Sequence, residues 1–328
     1  MHALVVDHST PTGLRLGAAP DPVPAPNEAL VRVTATSLNS GEVKFLIAEA
    51  EDGAVLGWDA TGVIEQAADG SGPPVGTPVV TLAMAGAWAE LRAVDTALIG
   101  VLPTDADHGA MSTIPVAGLS ALRGLHRVGP LLGRRVLITG ATGGVGRYAV
   151  QLARRGGAHV IATTSDPARH GESLHALGAH EVIAGPEELQ APVHGVLDMV
   201  GGPHLVQAHA HLAEHGTLVA IGRSSGQPEH FPLNALEGMG AHERTIVTFF
   251  LLDCPGLGPD MTWLADQVHT GALDPQVTWR GSWKDVDDAV AALVERRLHG
   301  KAVLEISRGV RAGPASARRR RRASARPR

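Results

Sequence analysis

Val136-Leu137-Ile138-Thr139-Gly140-Ala141-Thr142-Gly143-Gly144-Val145-Gly146 is a short apolar run that ends in a glycine-rich turn. A helical pattern follows at once, Tyr148-Ala149-Val150-Gln151-Leu152-Ala153. Strand, tight turn and helix in that order are the context in which a glycine pattern marks a dinucleotide site. Glycines let the backbone approach a ligand closely. The helix start offers free N–H groups and the positive end of a dipole to a pyrophosphate. The spacing here is Gly140-x-x-Gly143-x-x-Gly146 rather than G-x-G-x-x-G. Thr142, Gly143, Gly144, Val145 and Gly146 are the expected phosphate-binding residues. The plain alternative is a glycine-rich turn that binds nothing.

On the C-terminal side the alternation continues. It predicts strand 159–164, helix 167–177, strands 181–183 and 194–200, helix 203–214, and strands 217–222 and 245–251. Alternating β and α implies an α/β fold with a parallel, doubly wound sheet of Rossmann type, covered on both faces. A helix at 260–270, strand 276–280, helix 284–297 and strand 302–306 then either extend that sheet or return to an earlier one. On the N-terminal side, Met111 to Val128 reads as mostly helical, interrupted at Pro115. Before that come short strands such as Ala3–Val6, Ala29–Thr36, Ala60–Ile64, Pro78–Leu82 and Ala87–Val94, separated by Pro- and Gly-rich turns. They predict a barrel-like β domain.

The length of 328 residues suggests two domains, and no apolar run is long enough to span a bilayer. The first residues lack the basic start and cleavage pattern of a secretory signal. Cys254 is the single cysteine, so neither an intrachain disulfide nor a four-cysteine zinc lobe can form. Both points fit a cytoplasmic protein. Nine of the 28 Lys and Arg lie from Arg308 onward with no acid among them. The remainder carries nineteen basic residues against 33 acidic ones, a body of about −14. Residues 308–328 therefore read as a basic disordered tail. An acidic body argues against nucleic acid as a partner.

The second strand of the alternating region selects the nucleotide. In NAD-binding folds it usually ends in an acid that holds the ribose hydroxyls. Here Thr164 takes that place, followed by Ser165, with Arg169 one helical turn on. No carboxylate repels a 2′-phosphate there, and Arg169 can pair with one. NADPH is therefore the expected cofactor. Asp166 is the opposing feature: it either caps the helix at Pro167 or, turned inward, favours NAD.

This order of parts resembles the medium-chain dehydrogenase/reductase superfamily and, within it, the zinc-independent quinone oxidoreductase family. The residues that carry the resemblance are Ser37–Lys44, Gly57-Trp58-Asp59-Ala60-Thr61-Gly62-Val63, Gly86–Glu90, Ile114–Ala121, Leu197-Asp198-Met199-Val200-Gly201-Gly202 and Gly300-Lys301-Ala302-Val303-Leu304. The resemblance implies a GroES-like catalytic domain over 1–115 and a Rossmann NADPH-binding domain over 116–254. It also implies that 255–307 rejoins the first domain, with an active site in the cleft between the two. Zinc alcohol dehydrogenases of the superfamily hold their metal through a Cys and a His where this chain has Asn39 and Trp58. Neither residue is a zinc ligand, so no metal site is expected and alcohol chemistry is disfavoured. Hydride transfer to a quinone, an enone or an enoyl thioester remains.

By the same resemblance Ser120, Gly222, Arg223, Phe249, Phe250, Leu251 and Lys301 approach the cofactor, and Asn39 stands near the nicotinamide. The second proton comes from water, Lys44 or Asp59. Tyr148, the single tyrosine, is unlikely to reach the substrate. A homodimer through the edge strand around Thr245–Leu251 is expected. Two rival readings stand beside this one. The turn also satisfies the short-chain dehydrogenase pattern, but no Tyr-x-x-x-Lys follows it. A nucleotide-dependent sensor or nucleic-acid binder rests on the Arg-rich tail alone. His204, His209, His211 and His215 read as a histidine-rich helix, with His211 and His215 one turn apart.

Overall fold

Period-two burial organises the first hundred residues. The computed structural model describes residues 1–237 and 240–307, so the expected tail from Arg308 lies outside the described residues. β1 (His2–Val6) pairs antiparallel with β2 (Leu14–Ala18). β3 (Glu28–Leu38) buries Ala29, Val31, Val33 and Ala35 in alternation, as one packed sheet face requires. β4 (Asp59–Gln66), β5 (Pro78–Leu82), β6 (Leu91–Asp95) and β7 (Ile99–Val101) complete the antiparallel part of this sheet.

The parallel sheet holds β8 (Arg135–Ile138), β9 (His159–Thr163), β10 (Glu181–Ile183), β11 (Val193–Asp198), β12 (Leu212–Ala220) and β13 (Thr245–Thr248). Their spatial order is β10-β9-β8-β11-β12-β13, with every pairing parallel. Strand order reverses between β8 and β11, the switch point where open α/β sheets bind ligands. Both faces are covered. Val136, Ile138, Val160 and Leu197 pack with the helices at 119–128 and 144–155. Leu137, Ile161, Val196 and Leu218 pack with Leu205 and Ala208.

Beyond the helix Leu257–His269 come β14 (Val277–Ser282) and β15 (Lys301–Glu305). β15 pairs antiparallel with β3, Ala302 opposite Leu38, and β14 lies parallel to β15. Trp283, Val286, Ala289 and Val290 share a core with Leu4, Val33, Leu38 and Trp88. The first sheet therefore takes in β15, the last strand among the described residues.

Three local expectations are corrected. The helix at 203 ends at Ala210, not 214, because Leu212 is already in β12 and buried against the sheet. His215, at φ 59°, lies in that strand. His211 and His215 are therefore not a helical pair; His215 instead contacts Glu243 at 2.8 Å. The last strand of the parallel sheet stops at Thr248, so Phe249 and Phe250 lie past it and Leu251 opens a short 3-10 turn. The interruption expected at Pro115 falls instead at the turn formed by Ser112 and Thr113, ahead of the proline. Pro115 sits in the first turn of a π-helical segment, Ile114–Gly118, that runs into Leu119–Val128, where its absent N–H is not needed.

Gly146 holds the turn against its strand: a Cβ there would lie 2.6 Å from the Gly140 carbonyl oxygen and from Ala141 Cα. Gly171 has nothing within 4 Å of the same position. Gly146→Ala is expected to lower the unfolding free energy by about 1–3 kcal/mol. Gly171→Ala, in a helix, is expected to raise it by up to about 1 kcal/mol. Urea unfolding of the two variants checks both signs.

Candidate active site

Three pieces of chain meet where β3 ends. β4 begins at Asp59, β15 begins at Lys301, and Asn39 follows β3 directly. Asp59 is fully buried and accepts four hydrogen bonds. Its Oδ2 accepts from Ser37 Oγ at 2.7 Å, Asn39 Nδ2 at 2.8 Å and Lys301 Nζ at 3.5 Å. Its Oδ1 accepts from the Val116 N–H at 2.9 Å. Lys301 also donates to Asn39 Oδ1 at 2.6 Å and to the Leu38 carbonyl at 3.0 Å. The Asn39 amide is thus held from both ends, its NH₂ on a carboxylate and its oxygen on an ammonium.

A second carboxylate lies behind the first. Glu42 Oε2 accepts from the Asn39 N–H at 2.7 Å and Oε1 from the Trp58 N–H at 2.5 Å. Burial, reinforced by the Asp59 charge, pushes the Glu42 carboxyl up to about 8. Burial likewise holds Lys301 below the ordinary lysine value, against the pull of Asp59 and Glu42. Arg92, also buried, donates to the Trp58 carbonyl at 2.8 Å and to Thr81 Oγ1 at 3.0 Å. Glu42, Ser37 and Arg92 were missed as site residues. A Glu three residues after Asn39 is the one local signal available, since that spacing lets a carboxylate reach back to a backbone N–H.

The glycine turn stands across from this cluster. Gly140 takes φ +60°, and its carbonyl accepts from Gly143 N–H at 3.0 Å. The helix Gly144–Arg155 starts with no side-chain cap, and Gly143 is exposed. These first N–H groups fit an anionic pyrophosphate. A Cβ on Gly144 would lie 2.6 Å from Lys301 Cδ. The lysine stem therefore crosses the start of this helix while its ammonium reaches the Asp59 cluster.

Around the turn the structure gathers part of the expected set. Ala141 N–H bonds to the Thr163 carbonyl at 3.0 Å, which brings Thr164 and Ser165 beside the turn. Thr164 is buried; Ser165 and Arg169 are exposed. Asp166 caps its helix, Oδ1 accepting from Arg169 N–H at 3.0 Å. Ile221 and Gly222 bond to the Asp198 carbonyl at the switch point. Arg223, next in line, lies over the Phe45 ring at 5.7 Å, so it joins the chain after β12 to the segment after β3. Ser120 is buried in the helix Leu119–Val128. Lys44 is half-buried, and burial and Arg296 lower it from the ordinary lysine value. Phe249, Phe250 and Leu251 follow β13, three strands from β8; Phe249 lies under Arg127 at 5.4 Å. Tyr148 is buried on Thr113 Oγ1 at 2.8 Å.

A family model described as zinc-binding dehydrogenase matches residues 144–266. The spectinabilin polyketide synthase system protein NorB of Streptomyces orinoci is 38% identical over 299 residues, 85% of this chain. The chain spans only 13% of that protein's length. The chloroplast envelope quinone oxidoreductase homolog of Arabidopsis thaliana is 26% identical over 331 residues, 93% of this chain and 98% of its own. A mycobacterial protein solved in complex with NADPH superposes with a TM-score of 0.81 at 27% identity, covering 93% of this chain and 100% of that one. The chain is a quinone-oxidoreductase-like member of the medium-chain dehydrogenase/reductase superfamily.

This quinone-oxidoreductase-like chain has a fold for a nicotinamide cofactor. The span 144–266 contains neither Asn39 nor Trp58. Among the described residues, no group of three or more His, Cys, Asp or Glu side chains is placed to hold a metal ion. No described helix is long and apolar enough to cross a membrane.

The Asp59–Lys301 pair gives a direct test. Either Asp59→Asn or Lys301→Met leaves a buried charge without its partner, at an expected loss of about 3–5 kcal/mol. The double variant is expected to lose less than the sum of the two, as urea unfolding in a double-mutant cycle will measure.

Proposed function

We propose that the protein transfers a hydride from NADPH to a quinone or to an activated C=C bond without metal assistance. The observation that carries this is the bonding of Asn39. Where zinc relatives place a ligand, this chain has an amide fixed between Asp59 and Lys301, with Trp58 at the second ligand position. A bound reduced nicotinamide supplies the hydride. The protein's part is to bind, orient and exclude water.

Held at both ends, the Asn39 amide has a single orientation. Asp59 accepts hydrogen bonds on both carboxylate oxygens and has no exposed surface, so it acts as a positioning residue. Lys44, half-buried in the turn after Asn39 with its pKa lowered by burial, or water, then delivers the proton that completes the reduction. Thr164, Ser165 and Arg169 receive the 2′-phosphate, because Asp166 is engaged as a helix cap.

The polyketide-synthase relative, at 38% identity against 26% for the plant quinone oxidoreductase homolog, favours a second reading within this chemistry. On it the electrophile is an enoyl thioester and the protein is an enoyl reductase acting in trans. The edge strand β13 leaves Ile246 40% exposed, and Phe250 just beyond it is 54% exposed. A homodimer through that edge would cover them.

Loss of NADPH absorbance with a panel of quinones, enones and enoyl thioesters tests the activity. Turnover is expected with at least one class and is expected to survive a chelator. Arg169→Ala is expected to raise KM for NADPH about ten-fold and to leave KM for NADH unchanged. Equal KM values for both cofactors in the unmodified protein would overturn the 2′-phosphate assignment.

A further inference from the structure

Three side chains outside the Asp59 cluster meet beside the glycine turn. Arg147 is in the first turn of the helix Gly144–Arg155 and is 5% exposed. Its Nε donates to the Thr142 carbonyl at 3.2 Å and its Nη1 to Gln276 Oε1 at 2.6 Å. His170 follows Arg169 in the ribose-side helix and is 9% exposed. His299 immediately precedes Gly300 and Lys301, whose stem crosses Gly144. The two imidazole rings face each other, with centroids 4.2 Å apart and an interplanar angle of 49°. His299 Nε2 is buried and has no hydrogen-bond partner among the described residues.

Cations outnumber carboxylates around this pair. His299 faces His170, Arg169 and Arg147. His170 faces Arg169 and Arg147, with Asp166 as the one opposing carboxylate. Asp166 is already engaged with the Arg169 N–H. Burial is the largest influence on both imidazoles and the neighbouring cations add to it, so both lie below the ordinary histidine value. In a body that is otherwise acidic, four cationic or proton-accepting groups are collected between the glycine turn and the ribose helix. Arg147 also faces Asp274. Protonating either imidazole adds a cation to this cluster, which an anion entering the site offsets.

We propose that Arg147, His170 and His299 form a phosphate-facing wall of the dinucleotide site, and that the imidazole pair takes up a proton from solvent as the dinucleotide phosphate enters. This rests on the dinucleotide reading above. It adds a contribution from the C-terminal return of the chain, through His299, to a site otherwise built by the central domain. The phosphate is either the pyrophosphate over Gly144 or the 2′-phosphate beside Arg169.

The test uses the full chain and both NADPH and NADH. Calorimetric titration in two buffers of different ionisation enthalpy, at about pH 7.5 where a phosphomonoester is already ionised, counts protons without any variant. Net uptake is expected, and none overturns the proposal. Dissociation constants at about pH 6.5, the ordinary imidazole value, and at about pH 8.5, well above it, are then compared for the unmodified protein, His299→Gln, His170→Gln and the double variant. The double variant reports the ligand's own titration. Relative to it, the unmodified protein is expected to bind NADPH about three- to ten-fold more tightly at the lower pH. Each single variant is expected to lose most of that gain, with its thermal midpoint little changed. A gain shared by NADH assigns the pyrophosphate, and a gain confined to NADPH assigns the 2′-phosphate; both uphold the wall. Variants that keep the full pH profile overturn it. An unmodified protein that binds neither dinucleotide overturns the dinucleotide reading itself, so the two failures are distinct.

Discussion

One buried carboxylate sets the geometry of the cleft. Asp59 takes donors from Ser37, Asn39, Val116 and Lys301. These four lie at the end of β3, just after it, in the segment Ile114–Gly118 and at the start of β15. A charge with no access to water is costly unless each lone pair is met. The four donors can meet it together only when those segments stand in one arrangement. The carboxylate therefore specifies where these segments sit more than it adds to stability, and the Asn39 amide inherits a fixed orientation from it.

Lys301 extends the same constraint to the nucleotide side. Its ammonium belongs to the Asp59 cluster while its methylenes lie on Gly144. Gly144 is thus needed for a reason that a phosphate-binding motif does not contain: the space on its Cβ side is filled by a side chain from the far end of the sequence. Arg223 over Phe45 makes a second link, between the chain after β12 and the segment after β3. The cleft is bridged by contacts that each join residues remote in sequence.

The fold was largely legible because its two periodicities are strong. Alternation along Ala29–Thr36 and the strand–glycine–helix passage at Val136–Ala153 each point to one local structure, and both appear. The errors fall where tertiary pairing overrides local pattern. Leu212 continues the apolar spacing of a helix, yet it is drawn into β12. Phe249 and Phe250 look like strand residues, yet they follow the last paired position, Thr248. Alternation alone left the place of 302–306 open, because a strand's pattern names its faces and not its neighbour. The site residues divide the same way. Asn39, Asp59 and Lys301 were named individually, but nothing local shows that they bond to one another across 262 residues of sequence. Arg147, His170 and His299 come from three separated segments and carry no motif.

The pairing of Ala302 with Leu38 has a consequence for the order of assembly. On a ribosome, β3 emerges long before its partner β15, while β8 to β13 can pair among themselves as they appear. The first sheet must wait with an open, apolar border, a state in which strands seek foreign partners. Closing so long a loop adds little to the equilibrium cost, about 0.6 kcal/mol per doubling of length. The burden is one of timing: the half of the molecule made first is the half finished last.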